Sequence, residues 1–351
     1  MKPAVLDVLA SPGDRSTLTI ADNASNNGEL LDGVLDAADG RTFAVREGVP
    51  RMAPELESAD EQADTRTTFG SKWQTITDEE RDRLAVFQHR WFEERFGFDD
   101  EDDLARTLDG AGWVIDAGTG PGIQAARLAS VTNAQVVGMD LSESVVRARQ
   151  TFGPERDNLH YVQGDILDPP FRRGSFDFVV ADQVLHHTPD CRRAFHRMAE
   201  LVAPGGQFAT YVYRIKPLLR ELADEEVRKL TTKLTVDECM EFSEQVTELG
   251  RELSRLGAKV RLEQGIPLLG LEPGEHDVQR LIYWTFFKCF WNEELGEGVS
   301  NLVNFDWYHP PYASRHTVEE VQGWCRDANL EIVHLDVIES GISVRAQRQV
   351  V

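Results

Sequence analysis

Val114-Ile115-Asp116-Ala117-Gly118-Thr119-Gly120-Pro121-Gly122 is the stretch on which the reading of this chain turns. A short apolar run ends in a carboxylate, passes through a turn holding three glycines, and opens a helical pattern over residues 124–130. Glycine tolerates positive φ and lets a ligand come close to the backbone. A dinucleotide fingerprint needs its glycines as G-x-G-x-x-G. Here the spacing is G-x-G-x-G, with Ile123 following, so a pyrophosphate cradle is weakly supported. Asp116 at the strand end suits a cationic amino-acid tail better than a phosphate.

Reading toward the C-terminus, the same strand–turn–helix rhythm recurs. Residues 135–139 form a second strand that ends at Asp140, about 20 residues past the glycine turn, where a carboxylate can accept ribose hydroxyls. A third strand, 159–162, runs into Gly164-Asp165-Ile166, where a carboxylate or its neighbour's backbone can read an adenine edge. A fourth strand at 176–180, a helix at 191–201 and a fifth strand at 206–212 complete the series. Buried apolar strands alternating with helices predict a mostly parallel, doubly wound α/β sheet. The three signals fall at the C-terminal ends of successive strands, the edge at which such sheets bind ligands.

Beyond strand five the rhythm changes. Helices at 218–234 and 236–256, an apolar segment Leu268-Leu269-Gly270-Leu271 and an aromatic helix at 282–291 read as an insertion. A helix at 317–328 and strands at 330–335 and 341–346 then return to the sheet as a final antiparallel pair. Toward the N-terminus, Phe69, Trp73 and Ile76, then Leu84, Phe87, Trp91, Phe92 and Phe96, recur at helical spacing. An acidic linker precedes them, and residues 1–56 look β-rich, with strands at 6–12 and 18–20 and a turn–strand–turn from Gly40 to Met52. The expected units are a small β-rich domain at 1–56, linker and helices at 57–108, the cofactor half of the core at 109–215, a helical insertion or lid at 216–302, and the end of the core at 303–351.

Composition narrows the function classes. A formal charge of −23 argues against a nucleic-acid partner, since phosphate binding needs clustered Lys and Arg. No run approaches the roughly 18 apolar residues of a membrane span, and the first residues lack the pattern of a signal peptide; a cytoplasmic protein is expected. Cys191, Cys239, Cys289 and Cys325 are far apart, without a C-x-x-C pair, so neither a zinc knuckle nor a disulfide framework is expected and no metal is assigned. The sequence carries no P-loop and no H-E-x-x-H. Oligomeric state is not readable.

With these motifs in order, residues 112–214 resemble the class I S-adenosylmethionine-dependent methyltransferases. The resemblance implies a Rossmann-like, seven-stranded sheet of order 3-2-1-4-5-7-6 with its last strand antiparallel, and S-adenosyl-L-methionine as cofactor. It implies that Asp116, Gly118, Thr119, Gly120 and Gly122 line the methionine side of the cofactor, Asp140 and Leu141 the ribose, and Asp165 and Ile166 the adenine. Ala181-Asp182-Gln183-Val184-Leu185-His186-His187 matches the segment bordering the transferred methyl, which brings Asp182 and Gln183 into the cofactor set. Phe69-Gly70-Ser71-Lys72-Trp73 is similar to a cofactor-covering motif of some members, which adds Trp73. Residues 1–56 resemble the small zinc-ribbon-like domain that accompanies or activates several methyltransferases. The paired cysteines of that domain are missing here, so only its β-scaffold carries the likeness.

Methyl transfer from a sulfonium is an in-line displacement in which the protein supplies alignment, exclusion of water and sometimes a base; alignment alone is worth roughly 7–11 kcal/mol. His187, at the site edge, is the first candidate base, with the capping of the next helix as the alternative role. The segment Asn304-Phe305-Asp306-Trp307-Tyr308-His309-Pro310-Pro311-Tyr312-Ala313-Ser314-Arg315-His316-Thr317 is read as a loop before the last helix. It either faces the acceptor or packs insertion against core. In the first case Tyr312 and His316 orient or deprotonate the acceptor, while Tyr308, His309 and Arg315 contact it, Arg315 through an anionic group. Thr317 with Glu320 reads as a capping box. The expected activity is methylation of a small molecule or sugar intermediate. The alternatives are an RNA or protein acceptor recruited by residues 1–56, or a non-catalytic use of the cofactor.

Overall fold

The computed structural model describes residues 1–21, 25–26, 28–54, 65–70, 77–154 and 156–350. Its centre is a seven-stranded sheet built from β7 (Trp113–Ala117), β8 (Gln135–Asp140), β9 (Leu159–Gln163), β10 (Phe176–Ala181), β11 (Val202–Tyr213), β14 (Leu330–Val337) and β15 (Gly341–Arg348). The order across the sheet is β14-β15-β11-β10-β7-β8-β9, which is 3-2-1-4-5-7-6 when the core strands are counted along the chain. β7 through β11 run parallel, and β15 is antiparallel to both of its neighbours.

Alternation along each strand explains why both faces are covered. Ile115, Val137 and Val179 enter one apolar cluster, with Phe195, Val321 and Trp324 from the helices of that side. Their chain neighbours Val114, Val136 and Val180 enter the other, with Ala125, Leu128 and Val145. Side chains two apart share a face, so a strand apolar at every position must be buried on both sides. Helices α3 (Ile123–Val131) and α4 (Ser144–Phe152) lie on the second face and α5 (Cys191–Ala199) and α10 (Val318–Asp327) on the first. The Thr317–Glu320 capping box is present at the start of α10.

The N-terminal segment forms a four-stranded antiparallel sheet, β1 (Leu18–Ile20), β4 (Gly33–Ala37), β5 (Thr42–Arg46) and β6 (Val49–Pro50), with a small pair β2 (Ser25–Asn26) and β3 (Glu29–Leu30). Its inner residues Leu18, Leu35 and Val45 belong to the same apolar cluster as Val137, Val162 and Phe171. Arg51 pairs alongside Gln163, and Met52 N–H donates to the Gln163 carbonyl at 2.8 Å, covering the free edge of β9. The strand expected at residues 6–12 is instead a 3-10 turn over Pro3–Asp7, which Pro3 starts, followed by a single bridge from Leu9 to Phe171.

The insertion holds α6 (Leu218–Thr231), α7 (Val236–Arg255), α8 (Val278–Thr285) and α9 (Gly296–Tyr308), with a short hairpin of β12 (Lys259–Leu262) and β13 (Gly274–Asp277) that the sequence pattern did not reveal. The aromatic helix starts earlier than expected, where the Asp277 side chain caps it at Arg280 N–H, and stops at Thr285. The first part of the expected loop 304–317 is the end of α9. Buried Asn304 accepts from Phe290 N–H and donates to the Phe290 carbonyl and Thr247 hydroxyl, so tertiary contacts override its weak helix preference. Two further helices, α1 (Asp78–Phe96) and α2 (Glu101–Thr107), precede the sheet. Among the described residues no helix is long and apolar enough to cross a membrane.

Candidate functional site

The strand order reverses between β7 and β10, so the loops leaving those strands diverge and open a crevice at their C-terminal ends. That crevice is a cavity with about 1520 Å³ of empty space, its open mouth included. Asp116, Gly118, Thr119, Gly120, Asp140, Leu141, Asp165, Ile166, Asp182, Gln183 and His187 all line it.

Local geometry ties the first two signals together. Gly118, Gly120 and Gly122 have φ of +80°, +51° and +85°. At Gly118 an added Cβ would lie 2.4 Å from a Val184 methyl, and at Gly122 2.7 Å from the Ala148 Cβ and the Tyr161 hydroxyl, so both positions need glycine for space as well as for φ. Gly120 N–H donates to Asp140 Oδ2 at 2.9 Å, while Ser142 donates to Asp140 Oδ1 through its N–H at 2.8 Å and its hydroxyl at 2.7 Å. The Thr119 hydroxyl donates to Asp116 Oδ2 at 2.7 Å. Asp165 Oδ1 accepts from Leu167 N–H at 2.8 Å, which fixes the turn after β9. Gly122 itself sits behind the cavity wall, as the residue that caps α3.

The cavity is electronegative. Burial pushes Asp116 up to about 7, with the Thr119 hydroxyl opposing and the charges of Asp182 and Asp140 adding to the shift. Burial also raises Asp140, against its hydrogen bonds from Ser142 and Gly120, and raises Asp182, against Arg95. Arg66 lines the wall but is engaged with Glu143 at 3.1 Å.

His187 is buried at the cavity wall, its ring 5.0 Å from that of Phe69. Its Nδ1 lies 2.8 Å from the Tyr312 carbonyl, so that nitrogen carries the proton and Nε2 is the basic one in the neutral ring. His186 turns away and stacks on Tyr213 with centroids 3.7 Å apart.

The other acceptor-side expectations are not brought to this wall. Tyr312 supplies the backbone carbonyl that orients His187. His316 bonds Ser314, lies 3.7 Å from Glu320 and packs edge-on to Trp324, so it anchors the start of α10. Arg315 pairs with Glu221 and Glu225 of α6, which occupy the charge expected to meet a substrate anion. Tyr308 is fully buried and donates to the Lys288 carbonyl. His309 bridges the Thr68 hydroxyl and the Leu234 carbonyl. Of these, Arg315 ties the segment before α10 to α6 of the insertion, and the others hold their own neighbourhoods together. Trp73 lies outside the described residues.

Sequence reasoning missed much of the opposite wall. Leu84, Gln88 and Trp91 from α1, and Val299, Leu302, Val303 and Asp306 from α9, face the carboxylates across the cavity, beside Thr65, Arg66 and Phe69. Leu84 and Trp91 carried a helical signal in the sequence, but nothing local marks the first turns of α9 as a wall. The four cysteines are buried and unpaired with one another.

Comparison with known proteins covers the same region. Residues 115–210 match the sequence family described as a methyltransferase domain. An uncharacterized methyltransferase of Mycobacterium tuberculosis is 36% identical over 107 residues, 30% of this chain and 53% of that protein. A sterol 24-C-methyltransferase of Gibberella zeae is 32% identical over 101 residues, 28% of this chain and 27% of that protein. The magnesium protoporphyrin IX methyltransferase of Synechocystis, solved with bound SAM, superposes with a TM-score of 0.45 and 13% identity, covering 84% of this chain and 100% of that one. The chain thus spans about half the length of the mycobacterial relative and less of the fungal one. Residues 115–210 thus match a methyltransferase domain and hold the central strands of the seven-stranded sheet, β7 through β11.

Proposed function

We propose that this chain binds S-adenosyl-L-methionine and transfers its methyl group to a small-molecule acceptor with an apolar body. The supporting observation is a single cavity with two unlike halves. Asp116, Asp140 and Asp165 lie at three strand ends, and Phe69, Leu84, Trp91, Val299, Leu302 and Val303 stand opposite. Buried carboxylates raised by desolvation fit a ligand that brings positive charge and vicinal hydroxyls. When bound, the cofactor supplies a methyl group already activated on a sulfonium.

In this reading Asp116 holds the cationic amino-acid end, Asp140 and Leu141 the ribose, and Asp165 and Ile166 the base. The apolar half excludes water and aligns the acceptor, where most of the rate gain arises. His187, at the cavity wall, is the candidate base for an O–H or N–H acceptor. Residues 1–56 act as a structural cap on β9, and α1 with α9 roofs the acceptor half.

Methyl-tritiated cofactor, incubated with the protein and fractionated cell extract, tests the proposal. Label is expected in an organic-extractable product that survives protease and nuclease treatment. Label confined to the RNA or protein fraction would instead select a macromolecular acceptor, and cofactor binding without label anywhere would leave a non-catalytic role.

A further inference from the structure

Arg95 lies on α1, outside the sheet and outside every motif that marks the cofactor site. Its Nη1 is 3.0 Å from both Asp182 carboxylate oxygens. The guanidinium is held between two aromatic faces, 4.7 Å from the Tyr211 centroid and 5.4 Å from that of Trp91. Both partners are largely buried, at 11% and 18% side-chain exposure, so this is not a solvent-screened surface pair. Trp91 also lines the cavity, so α1 contributes a wall residue and, one turn on, the clamp on Asp182.

We propose that Arg95 is a positioning residue that keeps the Asp182 carboxylate charged and fixed at the cavity, and that this pair sets the site's preference for a cationic adenosyl ligand over its neutral thioether product. The inference rests on the methyltransferase reading. Five carboxylates line this cavity, Asp116, Asp140, Asp165, Asp182 and Asp306, with Asp140 and Asp182 both acting on Asp116. Burial alone drives Asp182 toward its neutral form, and Arg95 opposes that. The charged and titratable groups around Asp182 are Arg95 from α1, Asp116 on β7, Tyr211 on β11 and His187 on the following turn, with Asp140, Asp165 and Asp306 lining the same cavity.

Without Arg95, nothing of opposite charge offsets the burial of Asp182, and it keeps its proton to a higher pH than in the parent. A sulfonium ligand must then drive that proton off before it gains the charge, whereas a neutral thioether loses little. The difference makes loss of affinity ligand-specific and pH-dependent. A merely structural role for Arg95 weakens both ligands alike at every pH. Discrimination of this kind also serves turnover, since the spent cofactor no longer carries the charge that Asp182 attracts.

Calorimetric titration of S-adenosylmethionine and S-adenosylhomocysteine into the whole chain, at pH 7 and pH 9, provides the test. Arg95→Gln is expected to weaken S-adenosylmethionine about tenfold at pH 7, the scale of one charge-assisted contact, and to recover most of that loss at pH 9. S-adenosylhomocysteine is expected to move much less, and Arg95→Lys to fall between. Asp182→Asn, which keeps the shape, is expected to show the same ligand-specific loss with no recovery at pH 9, and it serves if the Arg95 variant folds poorly. Equal loss for both ligands at both pH values, or no change for either, overturns the inference. If the unaltered chain binds neither ligand, the methyltransferase reading itself fails.

Discussion

Gly118→Ala is expected to weaken binding of adenosyl ligands roughly 100-fold and to lower the melting temperature by several degrees. The backbone there has φ +80°, and the new Cβ would lie 2.4, 2.5 and 3.0 Å from three carbons of Val184. A left-handed conformation costs an L-residue about 1–2 kcal/mol. Overpacking adds about 1–3 kcal/mol. Relief by movement is costly to function as well, because Val184 belongs to the turn that carries Asp182, Gln183 and His187. A loss of about 3 kcal/mol in binding corresponds to roughly 100-fold in affinity. Adding Val184→Ala to Gly118→Ala removes the clashing methyls and leaves the φ cost, so the pair regains part of the stability. Differential scanning fluorimetry of the three variants separates the two contributions; a single variant as stable as the parent would show that the turn is not confined as described.

Asp116→Asn is expected to move stability and binding in opposite directions. Burial raises the folded-state value of Asp116 from 3.8 to about 7. The folded protein therefore holds this proton more tightly than the unfolded chain. The stabilisation it gives is complete below about pH 4 and is lost as pH rises through about 7. Asparagine keeps an oxygen for the Thr119 hydroxyl and carries no charge to bury. The variant should thus match the parent below pH 4, gain on it between pH 4 and 7, and stay more stable above. It should also lose cofactor affinity, having no charge for the cationic end. In the unaltered protein, affinity should rise with pH up to about 7, as Asp116 ionises. Melting curves from pH 4 to pH 8.5, paired with calorimetry, check both signs. A variant less stable than the parent at pH 8 would show that Asp116 is held by favourable contacts rather than by the needs of a ligand.

The two halves of the cavity were unequally legible in the sequence, for a physical reason. The cofactor half is written locally. The glycines at 118, 120 and 122 sit where the backbone must turn left-handed, Asp140 ends a strand that buries Val136, Val137 and Met139, and Asp165 follows one that buries Leu159, Tyr161 and Val162. The acceptor half is made by docking. Arg95 reaches Asp182 across 87 residues, and α9 is held at the cavity by contacts distant in sequence, among them those of Asn304 with Phe290 and Thr247. The density of Trp, Tyr, His and Arg between 304 and 317 goes with dense internal pairing, and of that segment Asp306 lines the cavity. Glu221 and Glu225 on α6 neutralise Arg315, the Leu234 and Lys288 carbonyls take up His309 and Tyr308, and the segment joins insertion to core. β4 was missed although Asp32-Gly33 offers a turn just before its short apolar pair Val34-Leu35.

The Asp140 carboxylate joins the glycine turn, through Gly120 N–H, to the position assigned to the ribose. The deciding measurement is calorimetric titration of S-adenosylhomocysteine into the whole chain and into Asp140→Leu, with folding of both confirmed by circular dichroism. Two hydrogen bonds to a charged group are worth about 3–6 kcal/mol, so the account predicts one-to-one binding to the parent and a loss of roughly 100-fold or more in the variant. Unchanged affinity in a folded Asp140→Leu protein, or no binding by the parent, would contradict it.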